Sequence, residues 1–379
     1  MRIGFYAPLK PPDHPAPSGD RRIARLLMQA MTGMGHEVFI LSTLRSYNRD
    51  GDAALERQTA AAAAAEAGQI AAAWETGAVP KADLLFTYHV YHKAADYLGP
   101  ALKQRCHLPY VIAEPSVAPK REHGPWAAGY AQAGMAIRRA DVLLAVTALD
   151  HACLASFAGP ARVTLFPPFL DPAPFAAAAA RRDIWRATLA AQYGLAADQP
   201  WLLAVGMMRS GDKLASFRRL AEAAELARDL PWQLILVGDG PERPAVESAF
   251  ASLGDRVRLV GQMDAEPLAG LYAASDLYVW PAVNEAYGMA LLEAQAAGLP
   301  VLSVNTRGVP DVVRHGETGW LAADDSAATL AQALRQLLPD AARRSGMALA
   351  ARRHVARDLS MTAAQERLAA TFIRLGLRP

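Results

Sequence analysis

Pro281-Ala282-Val283-Asn284-Glu285-Ala286-Tyr287-Gly288-Met289-Ala290-Leu291-Leu292-Glu293-Ala294 follows a short apolar run at 277–280. The run reads as a buried strand ending at Trp280, the middle as a loop carrying Glu285, and the rest as a helix starting near Gly288. A strand, a short loop and a helix in that order are half of a βαβ unit, from which parallel sheets are built. The first turn of such a helix presents unpaired N–H groups and a partial positive charge, which suit phosphate. Glu293 lies eight residues beyond Glu285, one to two turns into the helix and facing the same crevice. Two carboxylates flanking an anion-binding helix end suit a sugar nucleotide, one on ribose hydroxyls, the other on sugar hydroxyls, with the diphosphate between. Such a pair also occurs on solvated helix faces, so the flanking sequence has to separate the two readings.

Outward from this stretch the same order recurs. Apolar runs at 201–205, 233–237, 257–260 and 300–304 read as further parallel strands with helical segments between them. In the first half, strands are expected at 3–7, 37–41, 84–88, 110–113 and 141–146, with helices from Arg21 and near His92. The Ala-rich tracts at 60–65 and 176–180 read as helix filler. Prolines cluster in Phe166-Pro167-Pro168-Phe169-Leu170-Asp171-Pro172, as in a link between domains. The expectation is an α/β protein of two Rossmann-like, doubly wound domains facing a central crevice. Its parts are an N-terminal domain at 1–170, a linker at 171–199, a C-terminal domain at 200–340, and C-terminal helices at 341–379, the last packing back on the N-terminal domain. Ligands in such sheets sit at the carboxyl ends of the strands.

The chain has 379 residues, more than one hydrophobic core usually serves. With 52% hydrophobic and 20% charged residues its composition is globular. A net charge of +2 argues against a dedicated nucleic-acid binder. Cys106 and Cys153 cannot form a disulfide framework or a cysteine zinc site, and are expected to be buried thiols in a reducing compartment. No apolar run is long enough to span a membrane, and the apolar start breaks at Lys10-Pro11-Pro12 before a signal peptide is complete. A cytoplasmic location is expected, with peripheral membrane contact left open.

The central stretch resembles the E-x7-E element of the GT-B glycosyltransferases of family 4. Flanking segments agree: Val237-Gly238-Asp239-Gly240-Pro241, Leu271-Tyr272-Ala273-Ala274-Ser275-Asp276-Leu277, Glu293-Ala294-Gln295-Ala296-Ala297-Gly298-Leu299-Pro300-Val301, and Gly308-Val309-Pro310-Asp311 with Gly316-Glu317-Thr318-Gly319. The resemblance is strong over 195–325 and weaker over the first 170 residues. It implies that Glu293 binds the nucleotide ribose and Glu285 the transferred sugar. The backbone of Ala286, Tyr287, Gly288 and Met289 would meet sugar and diphosphate, and base contacts would lie near 262–266. The family usually places an Arg and a Lys after the first strand of the C-terminal domain. Here the loop is Gly206-Met207-Met208-Arg209-Ser210-Gly211-Asp212-Lys213, with Met207 where the Arg usually stands. Arg209 and Lys213 are the nearest candidates. Fixed cations there stabilise the charge that gathers on the leaving diphosphate as the glycosidic bond breaks. A surface pair on a loop is the plainer reading of the same two residues.

In the first half, Pro17-Ser18-Gly19-Asp20-Arg21 replaces the family's usual Gly-Gly pair. Gly19 either lets the backbone approach the sugar phosphate or is a turn residue before a helix capped by Ser18 or Asp20. Arg21, Arg22 and Arg25 form a basic edge, either a solvated helix face or a contact for an anionic acceptor or lipid headgroups. His89 and His92 stand where relatives often have histidines, and Glu114 stands where they have a histidine near the reacting sugar. Asp20, His89, His92, Glu114 and His123 are therefore acceptor-side candidates. No third ligand accompanies the histidines, so no metal is expected. His36 reads as structural.

The resemblance implies a retaining, metal-independent transferase moving a sugar from a nucleotide-diphosphate donor to a small-molecule, glycan or lipid-linked acceptor. It needs no cofactor beyond that co-substrate. Attack from the face of the leaving group lets the diphosphate take the acceptor's proton, so no protein base is required. Two alternatives are an epimerase or phosphorylase on the same scaffold and a non-catalytic sugar-nucleotide sensor or subunit. A dinucleotide oxidoreductase lacks its G-x-G-x-x-G after the first strand.

Overall fold

The computed structural model describes residues 1–15 and 18–378; Pro17, part of the first-loop reading, lies outside the described residues. The chain divides into two compact units, 1–167 with 364–379 and 168–363.

The first unit runs β1 (Arg2–Tyr6), α1 (Gly19–Gly33), β2 (Glu37–Ser42), α2 (Ala53–Glu75), β3 (Leu84–Tyr88), α3 (Leu98–Cys106), β4 (Tyr110–Ala113), α4 (Ala127–Arg139), β5 (Val142–Ala145), α5 (Ala148–Ala158) and β6 (Val163–Leu165). The strands pair in parallel in the order β2-β1-β3-β4-β5-β6. Every residue of β3, β4 and β5 is buried, because helices cover both faces of such a sheet. Capping fixes the helix starts: Ser18 Oγ accepts from Arg21 N at 3.2 Å, and Asp52 Oδ1 from Ala54 N at 2.7 Å. The helix expected from near His92 starts only at Leu98, as α3. The carbonyls an earlier start would need are taken from elsewhere, Val90 O by Ser116 N at 2.9 Å and Lys93 O by Asn48 N at 2.7 Å. The thiols also differ from expectation, since Cys106 is buried but Cys153 is exposed. His36 is buried against the Phe372 ring, 5.5 Å between centroids.

The second unit opens with α6 (Ala173–Ala179) and α7 (Arg182–Tyr193). These occupy the segment expected to be a linker, and they belong to the unit's core instead. Phe175 packs against Tyr272, and Arg182 and Arg186 pair with Asp276 at 2.7 and 2.9 Å. Asp276 also accepts from Trp201 N at 2.8 Å, so α7 is tied to the start of β7. The chain continues through β7 (Trp201–Val205), α8 (Asp212–Leu226), β8 (Gln233–Val237), α9 (Arg243–Phe250), β9 (Val257–Gly261), α10 (Ala265–Ala274) and β10 (Leu277–Val279). It then runs α11 (Met289–Ala296), β11 (Val301–Val304), α12 (Val309–Val312), β12 (Gly319–Ala322), α13 (Ala327–Leu337), α14 (Ala341–Asp358) and α15 (Met361–Arg374). The parallel strand order is β12-β11-β10-β7-β8-β9.

The C-terminal helices divide between the two units. α14 lies in the second unit, where Asp358 at its end pairs with Arg314 at 3.0 Å. Residues 364–379 cluster with the first unit, where Gln365 Nε2 donates to Ala30 O at 3.1 Å. Among the described residues no helix is long and apolar enough to cross a membrane.

Candidate functional site

Strand order decides where side chains can converge. In the second unit the chain builds β7, β8 and β9 in one direction, then returns to place β10 on the other side of β7. The loops after β7 and β10 therefore diverge and leave an opening at the carboxyl end of the sheet, the usual ligand position. Lys213 comes from the first loop, at the second residue of α8, and Glu285 from the second. Their side chains meet, with Lys213 Nζ 2.5 Å from Glu285 Oε2. Trp280 Nε1 donates to the same oxygen at 3.1 Å, and the ammonium lies 5.1 Å from the centre of the Trp280 ring.

The loop between β10 and α11 is fastened to α8 twice more. Asn284 Nδ2 donates to Asp212 Oδ2 at 2.8 Å, and Val283 N to Ser216 Oγ at 3.1 Å. Gly308 N donates to Ala286 O at 2.9 Å, which fixes the exposed end of the loop. Ala282, Asn284 and Gly288 all take positive φ, at 55°, 53° and 76°. At Gly288 a side chain would meet Leu291 at 2.8 Å, so the last turn into α11 needs glycine. Tyr287 and Met289 are half-buried against the core. Gly206, at the end of β7, lies where a Cβ would press on Trp280 at 3.1 Å.

Glu293 is the fifth residue of α11, as its spacing predicts, but its side chain is only 4% exposed and accepts from Tyr272 OH at 2.8 Å. Arg209 differs from Lys213: it is exposed and has no side-chain partner among the described residues. Residues 262–266 lie after β9 at the start of α10 and are mostly exposed. The Trp280, Asp212–Asn284 and Ser216 contacts escape sequence reading, because nothing in their spacing pairs them.

The first unit has the same plan. Its chain lays β2 on one side of β1 and β3 on the other. Asp20, in the first turn of α1, and His89, immediately after β3, meet across this opening at 2.9 Å. Glu114 follows β4 and Asp150 opens α5 after β5, so four strand ends contribute to one titratable group. Burial disfavours charge on the His89 imidazole, but Glu114, the bond to Asp20 and the charge of Asp150 outweigh it and hold the group above its usual range. Burial also works against the Asp20 carboxylate, yet the His89 bond brings it below its usual range. Glu114 goes the other way: burial lifts it, and His89 only partly offsets the effect. His89 and Glu114 both have positive φ, 60° and 54°.

Three of the five acceptor-side candidates thus come together, and Asp150 joins them. His92 is not part of this group; it packs edge-on to Trp126. His123 is exposed. Gly19 is the exposed first residue of α1, and a Cβ there would touch nothing within 4 Å. Ser18 supplies the cap, which leaves Asp20 for His89.

Residues 199–340 match a family described as Glycosyl transferases group 1. The chain is 32% identical over 163 residues to N-acetyl-alpha-D-glucosaminyl L-malate synthase of Bacillus anthracis, covering 42% of this chain and 41% of the relative. It is 31% identical over 195 residues to alpha-D-kanosaminyltransferase of Streptomyces kanamyceticus, covering 51% and 50%. The aligned chain spans about half or less of these relatives' own length. Among solved structures, a glycosyltransferase from Rickettsia africae ESF-5 superposes with a TM-score of 0.76 at 16% identity, covering 98% of this chain and 97% of that one. The Anabaena protein HepE in complex with UDP superposes at 0.75, also at 16% identity, covering 99% and 100%.

Proposed function

We propose that this protein, which has the GT-B fold and a C-terminal domain of the glycosyl transferases group 1 family, transfers a sugar from a nucleotide-diphosphate donor to an acceptor hydroxyl, with retention and without a metal. The observation that carries the reading is the Lys213–Glu285 pair, delivered from the two sides of the β7/β10 opening to the loop that leads into α11. Without a ligand the two groups satisfy each other. A bound donor separates them: the diphosphate takes the ammonium and the N–H groups of α11's first turn, and a sugar hydroxyl takes the carboxylate. Glu293 holds the ribose, with Tyr272 fixing its carboxylate in place. Solved relatives in fold with UDP and with UDP-glucose support a uridine donor as the first candidate.

As the glycosidic bond breaks, negative charge moves onto the diphosphate next to Lys213 and the exposed Arg209. A preorganised cation at that position lowers the barrier more than it strengthens ground-state binding. The acceptor attacks from the same face, and a phosphate oxygen takes its proton. The Asp20–His89–Glu114 group orients the acceptor.

The test is a transfer assay in EDTA with a panel of UDP-, GDP-, ADP- and TDP-hexoses against hexose and hexose-phosphate acceptors. The product's anomeric configuration is read by proton NMR. Retained configuration and a loss of about 100-fold in kcat/KM for Lys213→Gln are expected. Inverted product overturns retention, and an undiminished Lys213→Gln enzyme overturns the role given to the lysine.

A further inference from the structure

Beyond β3 a second cluster lies outside the Asp20–His89–Glu114 group. Trp126 precedes α4, Lys120 and Arg121 belong to a 3-10 turn at Pro119–Arg121, and His92 and Lys93 lie in the irregular segment after β3. Lys93 Nζ and the Arg121 guanidinium lie over the Trp126 ring, 4.7 and 4.5 Å from its centroid. The His92 ring meets the same indole edge-on, with centroids 6.1 Å apart.

This corner carries an unusual charge balance. Lys93, Lys120 and Arg121 have no ion pair among the described residues. The nearby Glu56 carboxylate is bonded instead to Tyr97 OH and to Asn48 Nδ2. Three nitrogen atoms here are closed off from solvent and have no hydrogen-bond partner: His92 Nε2, Arg121 Nε and Trp126 Nε1. Buried polar groups are nearly always paired, and each one left unpaired costs about 1–3 kcal/mol. α4 also starts here without a side-chain cap. Burial and the charges of Arg121, Lys93 and Lys120 together hold His92 below the usual imidazole range.

Unpaired donors and unneutralised cations at one place call for the same remedy, an anion. A carboxylate offers two oxygens and one charge. A phosphate monoester offers three terminal oxygens and close to two charges, which better matches three donors and three cations. Position also gives the site a use. The His89, Tyr91 and His92 rings form a continuous run, 5.0 and 5.3 Å between successive centroids, from the Asp20–His89 pair to the indole.

We propose that His92, Lys93, Lys120, Arg121 and Trp126 form a phosphate-binding subsite that holds a phosphomonoester on the acceptor while its hydroxyl lies at His89. The acceptor role rests on the transferase reading above; the binding site does not. The ion enters by displacing the Lys93 and Arg121 side chains that lie over the indole.

The test uses the full chain labelled with 15N-tryptophan, whose seven indole N–H resonances are few enough to follow singly. Trp126→Phe and Trp280→Phe assign two of them. Inorganic phosphate is titrated at constant ionic strength, with chloride as the control. The Trp126 resonance is expected to move saturably. Arg121→Gln and Lys93→Gln, which keep the indole, are each expected to weaken phosphate binding by about tenfold. Glucose 6-phosphate and vesicles of phosphatidic acid in phosphatidylcholine then separate a soluble monoester from a lipid headgroup as the source of the phosphate. A Trp126 resonance that none of these moves, or one that moves equally in both variants, overturns the subsite. The Trp280 indole, bonded to Glu285, reports nucleotide binding in the same sample, so failure of the donor reading shows separately.

Discussion

His89 shows how much one side chain's environment can be built by distant parts of the chain. Its backbone turns through φ 60° directly after β3, and its charge is set by the bond to Asp20 at the start of α1 and by the charges of Glu114, just after β4, and Asp150, at the start of α5. Lys10 acts on the same group through Asp20. The imidazole is held above its usual range, so its charged form stabilises the fold. That contribution is complete below the unfolded imidazole's value of about 6.5 and is lost as pH rises through the higher folded-state value. The difference in thermal midpoint between wild type and His89→Gln is therefore expected to be largest near pH ~6 and to shrink toward pH ~9. A difference that grows with pH contradicts the pairing. His89 and Glu114 were legible as candidates from their places after strands, but Asp150 was not. Thr147-Ala148-Leu149-Asp150 reads as an ordinary helix start, and it is one: Thr147 Oγ1 caps Asp150 N at 3.0 Å. A local role hid the electrostatic one.

At the scale of elements, the carboxyl ends of β7 and β8 are pressed together. Gly206 N donates to Val237 O at 3.0 Å, and a Cβ at Gly238, whose φ is 134°, would collide with the Gly206 carbonyl. Gly238→Ala is expected to cost about 3 kcal/mol in denaturant unfolding of the C-terminal unit, from strain and collision together. Gly194→Ala, in the left-handed helical region at φ 63° and ψ 42° with open space around it, should cost only about 1 kcal/mol. Equal costs would remove the close approach as the reason for Gly238. Most strands were readable because buried parallel strands are continuous apolar runs. The edge strands β6 and β12 were not, being three and four residues long and only partly apolar in their surroundings. The linker was misread for a physical reason. Its prolines do mark the boundary near 167, but α6 after them is held by Phe175 on Tyr272 and α7 by Arg182 and Arg186 on Asp276, partners that lie far along the chain.

Over the whole molecule, each domain uses one device: the chain reverses its direction of sheet growth, and an oppositely charged pair forms across the opening. In the C-terminal domain the pair is Lys213 and Glu285, in the N-terminal domain Asp20 and His89. Lys213 and Glu285 were each legible as candidates, but their pairing was not, since they lie 72 positions apart. Asp20 and His89 likewise join across 69 positions, and in both domains the strand order that brings the pair together cannot be read from local pattern. The C-terminal domain is proposed to hold a nucleoside diphosphate between Lys213, α11 and Glu293. The most direct measurement is the unfolding of the full chain in EDTA with UDP, GDP, ADP, TDP or CDP, for wild type and Glu293→Ala. At about a hundred times its dissociation constant, a bound nucleotide stabilises by roughly 2.7 kcal/mol. One nucleotide with such an effect, lost in Glu293→Ala, is expected; no stabilisation by any of the five would contradict nucleotide binding at this site.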